Sequence, residues 1–426
     1  MTSTLILTTL LVFSFAVGRF IRQFQTPNFI FSGMIYLMMG LLLGSHLGLG
    51  FLSDDLILKL EPLTSLLIGI AGYLLGLRFK ALVAHRRVMV AGICSGTMIF
   101  VAMCFGFTIL SLYLLPEDTT IIEFLPISLF GEPWVPIVEI NQFWFCLGIA
   151  ATACSASLLN LGTAIRLDAS TSEITKVLQI MTKTLQCMAI LLIGACLATA
   201  RATTSADSLS ISVFEWSLAC IFSGLVCGFL FSLFIGSQSN RDRILLAALG
   251  TIIFACGLGH ILGISSLFVA FVTGATISLF SKYRENIQEN LVRLEEPIFV
   301  LLLVISGASW KPELNNLLWI LPLSYFAIRF AILSLFVAPF YRKLRGRRLA
   351  RLGQGLLGQD LMAVAVAVSF ATQFPELAQL FLTTILGSIF LNDILASSLL
   401  KKVILDNEQS TPFESIEATA QPEEAL

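Results

Sequence analysis

Charge is what this sequence has least of. Asp, Glu, Lys and Arg together make up 12% of its 426 residues, and their formal sum is -1. A soluble domain carries about a quarter of its residues as charges, so a fold bathed only in water is excluded. The near-zero balance says nothing about nucleic acid, and no basic stretch interleaved with aromatics supports a nucleic-acid surface. Histidine is scarce. The three present, His46, His85 and His260, stand at the ends of apolar runs or in loops, and no HExxH, CxxC or phosphate-binding glycine loop occurs. We therefore read the chain as no enzyme and as needing no cofactor. The nine cysteines, from Cys94 to Cys256, all fall within apolar stretches, where they read as free packing residues rather than disulfides or metal ligands. The opening "MTSTLILTTLLVFSFAVG" lacks a basic lead-in and a small-residue cleavage site, so it reads as a retained span rather than a signal peptide.

What is abundant is apolar. Hydrophobic residues make up 57% of the chain, 34 of them Phe, and the mean hydropathy is +0.90. The apolar runs are continuous rather than alternating, which predicts membrane-spanning helices and not a barrel. Roughly 20 apolar residues cross a bilayer as helix. On that measure thirteen spans are expected, at about 3–18, 28–44, 60–77, 88–115, 143–165, 174–200, 213–236, 243–263, 265–281, 297–310, 315–340, 354–374 and 377–400. With the N-terminus outside, 21 of the 26 Lys and Arg fall in inside segments, and only Lys59, Arg201 and Lys311 fall outside. This asymmetry predicts an inner-membrane, multi-pass protein with a cytoplasmic C-terminus. Residues 406–426, with six acids and no base, read as a disordered cytoplasmic tail.

The two remaining bases, Lys183 and Arg329, lie within spans, as do the acids Asp360 and Asp393. Counted from the nearest inside base at about 1.5 Å per residue, they sit roughly 10 to 20 Å deep, in one slab of the membrane. Such groups are costly in hydrocarbon and face a bundle interior or a cavity. Lys183 can instead snorkel, but Thr175, Gln179, Thr182, Lys183 and Gln186 form a polar stripe at helical spacing that a lipid-facing helix does not need. Arg329 is too deep to snorkel and must pair or neutralise a helix end. Asp393 reads as a structural hydrogen-bonding group. Asp360 is the candidate functional acid, because Gly353, Gly355 and Gly358 open its span.

Transporter sites form where spans unwind and helix ends face an ion. "ATACSASLLNLGTA", with Thr152, Ser155 and Ser157, is a matching small, hydroxyl-rich stretch in the fifth span; small-residue helix packing is the competing explanation. Spans 1–6 (about 1–200) and 8–13 (about 243–405), joined by a linker span at 213–236, then form two repeats. Each has an even number of crossings, so the single linker inverts one relative to the other.

At this point the chain resembles the monovalent cation:proton antiporter family. "GRFIRQFQTPNFIFSGMIYLMMGLLLG" is similar to the family's opening, and "GLGHILGISSLFVAFVTGATIS" followed by "ENLVRLEEPIFVLLLVISGASW" to its glycine-rich span, acidic linker and short following span. The resemblance implies an all-α polytopic fold of thirteen spans with inverted repeats and two crossed, broken helices, here the fifth and twelfth. It also implies a core moving against a dimerising scaffold and exchanging sodium or potassium for protons. The partners are then monovalent cations, protons, the lipid bilayer and a second copy of the chain. Arg329 falls on the family's base, and "LLGQDLMAVAVA" places Asp360 on its glutamate, beside Gln359. Span 6 departs. Where the family has an Asp-Asp or Asn-Asp pair, this chain has Lys183 and Thr184, or Thr184 and Leu185.

Two readings follow from that departure. In one, Asp360 is the alternately protonated group, Lys183 pairs with it in the empty state, and hydroxyls of Thr152, Ser155, Thr182 and Thr184 complete an oxygen shell for a hard cation. In the other, the fixed positive charge forbids a cation, and the protein carries an anionic or neutral solute or is a transport-inactive sensor or partner subunit.

Overall fold

The computed structural model describes residues 33–46, 50–114, 140–157, 173–204, 213–235, 241–281, 284–312, 319–345 and 351–408. The expected first span, most of the acidic loop at 117–141 and the tail beyond Glu408 lie outside the described residues, so those expectations are not addressed. Among the described residues the chain is helical, apart from one isolated bridge between Gly44 and Leu52.

The helices are α1 (Met34–Leu43), α2 (Asp54–Lys59), α3 (Glu61–Leu77), α4 (Phe79–Ala84), α5 (Arg86–Leu114), α6 (Ile140–Ala153), α7 (Glu173–Thr204), α8 (Val213–Ile235), α9 (Arg241–Leu262), α10 (Ser266–Phe280), α11 (Arg284–Ser309), α12 (Ile320–Arg345), α13 (Leu361–Gln373) and α14 (Pro375–Glu408). A 3-10 turn, Leu352–Leu356, precedes α13. Among the described residues, seven helices are long and apolar enough to cross a membrane. Five shorter apolar helices, α10 and α13 among them, fall on five of the other expected spans, and the first expected span lies outside the described residues. The tenth span differs from expectation. Its short apolar run and the acidic linker before it form one continuous helix of 26 residues, α11, with Pro297 inside it. The linker is amphipathic, burying Ile287 and Leu291, so it continues the helix instead of breaking it.

The contacts sort these helices into two bundles. One consists of α1, α3, α8, α9, α10 and α11; the other of α5, α6, α7, α12, α13 and α14. The first is built on close backbone approach. On α3, Gly72 and Gly76 lie against the carbonyls of Leu267 and Phe271 of α10, and Gly274 of α10 lies against Tyr73, so a Cβ at any of them would overlap the partner backbone. Between apolar helices in lipid no hydrophobic drive remains, and this dispersion-rich contact takes its place.

The seam between the bundles carries polar links. Asp393 of α14 accepts from the backbone N–H groups of Gly33 and Met34, at 3.1 and 3.0 Å, at the start of α1. Ser265, before α10, lies 2.6 Å (Oγ to Oγ) from Ser369 of α13. Trp310 Nε1 donates to Thr383 of α14 at 3.1 Å.

Candidate functional site

Two helices stop in the middle of the second bundle. α6 ends at Ala153, and after a last tight turn (Ser155 N to Thr152 O, 3.0 Å) residues 155–157 are non-helical. On the other side, the 3-10 turn ends at Leu356, and residues 357–360 are non-helical before α13 begins. The two unwound stretches touch, since Ser157 N donates to Gly358 O at 2.8 Å. Local sequence accounts for the break. Small residues at 153–157 and glycines at 353, 355 and 358 offer little side-chain packing to sustain a helix. Gly353 also packs against the Leu333 carbonyl of α12, where a Cβ has no room.

Unwinding buried helix ends leaves carbonyls without partners, and hydrocarbon offers no water to satisfy them. Arg329 of α12 resolves this. Its side chain is 1% exposed. Nε donates to Ala153 O at 3.0 Å, and Nη2 to Ser155 O at 2.7 Å and Leu356 O at 3.2 Å. Nη1 donates to Leu357 O. One guanidinium thus closes the carbonyl ends of both half-helices, one of the two alternatives, pairing or neutralising a helix end, that its depth in the sequence left open. Its fork of five donors suits this role, which a lysine ammonium serves poorly.

Gln359 extends the crossover. Its amide nitrogen lies 2.8 Å from Tyr325 Oη, 3.2 Å from Thr152 O and 3.3 Å from Ser155 Oγ, and its oxygen accepts from Asn392 Nδ2 at 2.9 Å. Asp360 follows as the N-cap of α13, its Oδ1 accepting from Met362 N at 3.4 Å. It is 3% exposed.

Between the two bundles lies a small cavity of about 10 Å³, room for a water-sized sphere. Its walls are Ala71, Leu74, Leu75 and Arg78 from the α3 side, Glu295 of α11, Gln186 of α7, and Asp360, Leu361 and Met362 at the start of α13. The depth is graded. Asp360 and Gln186 are almost fully buried, whereas Arg78 and Glu295, with side chains 14% and 22% exposed, form the rim. These two are paired in a fork, Nη2 to Oε2 at 2.6 Å and Nη1 to Oε1 at 3.3 Å. Neither stood among the sequence-derived candidates. Arg78 was counted as an inside-loop base and Glu295 as part of an acidic linker.

The candidates separate accordingly. Asp360 lines the cavity, while Arg329, Gln359, Ser155 and Ser157 build the crossover beside it. The Thr152 hydroxyl donates to Gly148 O at 2.8 Å, Ser155 Oγ to Thr152 O at 2.7 Å, and Thr184 Oγ1 to Ile180 O at 2.8 Å. Thr184 faces Gly92 of α5, and Thr182 is buried; neither they nor Thr152 and Ser155 line the cavity. The expected hydroxyl shell is therefore not assembled here, because in a helix these short side chains find their own backbone carbonyls first. Asp393 serves at the seam instead.

Lys183 corrects a second expectation. It is half-buried and makes no ion pair with Asp360; the charged groups within its electrostatic reach are Arg78 and Glu295. The α7 residue that reaches the crossover is Gln186, one turn on, whose Nε2 donates to Ala156 O at 2.8 Å. The polar stripe did point inward, with Thr175, Thr182 and Gln186 all buried.

No family model and no curated protein matches the chain. Solved structures do. The sodium proton antiporter MjNhaP1 from Methanocaldococcus jannaschii, determined at pH 8, superposes with a TM-score of 0.65 at 16% identity, covering 95% of this chain and 99% of that one. An electron-microscopy structure of the same antiporter gives 0.62 at 15% identity, over 95% and 97% of the two chains. With its two helix bundles and hydrogen-bonded, unwound crossover, this chain adopts the sodium/proton antiporter fold.

Proposed function

We propose that the protein is a secondary active transporter exchanging a monovalent cation, sodium or potassium, for protons by alternating access. The observation that carries this reading is the cavity between the bundles, with a buried carboxylate, Asp360, at the start of a half-helix whose crossover is held by Arg329. A carboxylate there takes either a proton or a cation, and competition between the two couples their movements. The moving core is the bundle of α5–α7 and α12–α14, and the scaffold is the other bundle, which pairs with a second copy in the membrane. The fold likeness to an antiporter agrees with this, as does the placement of the cavity between two separately packed bundles. The N-terminus is outside and the C-terminus cytoplasmic, on the distribution of Lys and Arg.

The test is cation-dependent pH change inside proteoliposomes on addition of sodium, potassium or lithium, with Asp360→Asn as the inactive control. A second reading rests on Lys183, an ammonium within electrostatic reach of the rim residues Arg78 and Glu295 and with no ion-pair partner among the described residues. It favours an anionic or neutral solute, or a partner subunit without transport of its own. Wild-type vesicles that stay silent to all three cations, with activity appearing in Lys183→Asp, would establish it.

A further inference from the structure

Gln186 is 1% exposed, and its amide is oriented by chemistry rather than by chance. The Ala156 carbonyl at the broken end of α6 accepts a hydrogen bond and cannot give one, so it takes the amide nitrogen. The oxygen is thereby turned away from Ala156. Gln186 Oε1 is a buried acceptor with no hydrogen-bond partner, and Gln186 lines the same cavity as the Asp360 carboxylate. Buried polar atoms are almost always satisfied, and one left open beside a carboxylate marks a place for a ligand that accepts oxygen donors. The wall facing them is apolar (Ala71, Leu74 and Leu75), and the rim charges Arg78 and Glu295 cancel each other.

From this geometry we propose that Gln186 Oε1 and the Asp360 carboxylate together seat the transported ion, a partly dehydrated monovalent cation, with the amide a direct ligand and not a helix-packing group. The inference rests on the transport reading above for the identity of the ion as cargo, but the seat itself is separable from transport. Oxygen ligands suit hard cations. An amide supplies the oxygen without a second negative charge, so a single cation at the seat neutralises Asp360 and leaves no excess to attract a divalent ion. The hydrogen bond to Ala156 holds the ligand to the unwound stretch that Arg329 closes, tying the seat to the crossover.

Two variants separate a ligand from an anchor. Gln186→Met removes both the oxygen and the donor to Ala156; Gln186→Glu also removes the donor, yet keeps an oxygen at the seat. The readouts are thermal protection of the detergent-solubilised full chain by sodium, lithium and potassium chlorides against choline chloride, and the half-maximal cation concentration for proton movement in proteoliposomes. Gln186→Met is expected to raise the cation concentration needed at least tenfold, while Gln186→Glu leaves it equal or lower. Equal weakening in both variants, or no weakening in Gln186→Met, would overturn the assignment. Cation protection of the wild type that is lost in Gln186→Met, without proton movement in any chain, would uphold the seat and remove the antiport reading. No cation protection and no proton movement in the wild type would remove both.

Discussion

Arg329 and Ser155 lie 174 positions apart in sequence, yet the guanidinium Nη2 of the first donates to the backbone carbonyl of the second at 2.7 Å. The contact fixes an unwound stretch at a depth where water cannot. Replacing Arg329 by Gln strands four carbonyls that it now serves. Charged hydrogen bonds contribute about 1.5–3 kcal/mol each and are not additive, so a loss of at least about 3 kcal/mol is expected overall. Arg329→Lys should recover only part, since a point charge cannot face four acceptors. Thermal unfolding in detergent checks this, and a wild-type Tm in Arg329→Gln would contradict the role given to the arginine.

Asp360 caps α13 and, on the proposed transport reading, also couples cation to proton; one substitution separates the two. Asn caps a helix about as well as Asp, within a few tenths of a kcal/mol. Asp360→Asn should therefore keep the Tm within about 2 °C of the wild type, since about 1 kcal/mol moves Tm by only a few degrees in a chain of this size. Cation-driven proton movement should nevertheless vanish. An active Asp360→Asn transporter would move the coupling carboxylate elsewhere, with Glu295 the first place to look.

The Lys183 ammonium lies within electrostatic reach of the rim pair, and on the proposed transport reading it opposes an entering cation. Two unit charges about 10 Å apart at an effective dielectric of about 20 interact by roughly 1.7 kcal/mol, somewhat more than tenfold in an equilibrium. Lys183→Met is thus expected to lower the half-maximal cation concentration about tenfold. An unchanged concentration would mean that Lys183 is solvated away from the path. A rise would mean that the ammonium organises the site.

Outside the spans, Lys311 holds Asp54 through a 2.7 Å contact and keeps its carboxyl below the usual value of 3.8. A depressed carboxylate contributes stability that is present above its unfolded value and is lost as pH falls through its folded one. The side chains are 37% and 54% exposed, which limits the contribution to no more than about 1 kcal/mol. Asp54→Asn should shift the Tm slightly at pH 7, and the shift should disappear as the pH falls through the depressed folded value of the wild-type carboxyl and it becomes protonated. A shift of equal size on both sides of that value would show that packing, not charge, connects the two residues.

Much of this architecture is legible in one dimension because the bilayer forces it. A span must be apolar for about 20 residues and must satisfy its own backbone, so run lengths located most of the helices. The same constraint singled out the intramembrane charges, and the depth of Arg329 left it either to pair or to neutralise a helix end, of which the structure shows the second. Asp393 was read as structural, and it caps the start of α1 across the seam.

The site itself was less legible. Lys183 and Gln186 stand three residues apart on one stripe, separated by about 60° around the helix. Both read as polar residues facing inward, and the charged one drew the attention. Which of them meets the Ala156 carbonyl depends on how α7 is rotated against the broken end of α6, a quantity that hydropathy does not encode. Arg78 and Glu295 are 217 positions apart, and each looked like an ordinary charge at a span boundary. Only the packing of α3 against α11 makes them the rim of a cavity. The sequence by itself therefore determined that this chain lives in a membrane as a bundle of helices with charges it must hide. The tertiary structure alone decided which charges meet, because a partner in space is set by helix rotation and crossing, whereas burial depth is set by composition along the chain.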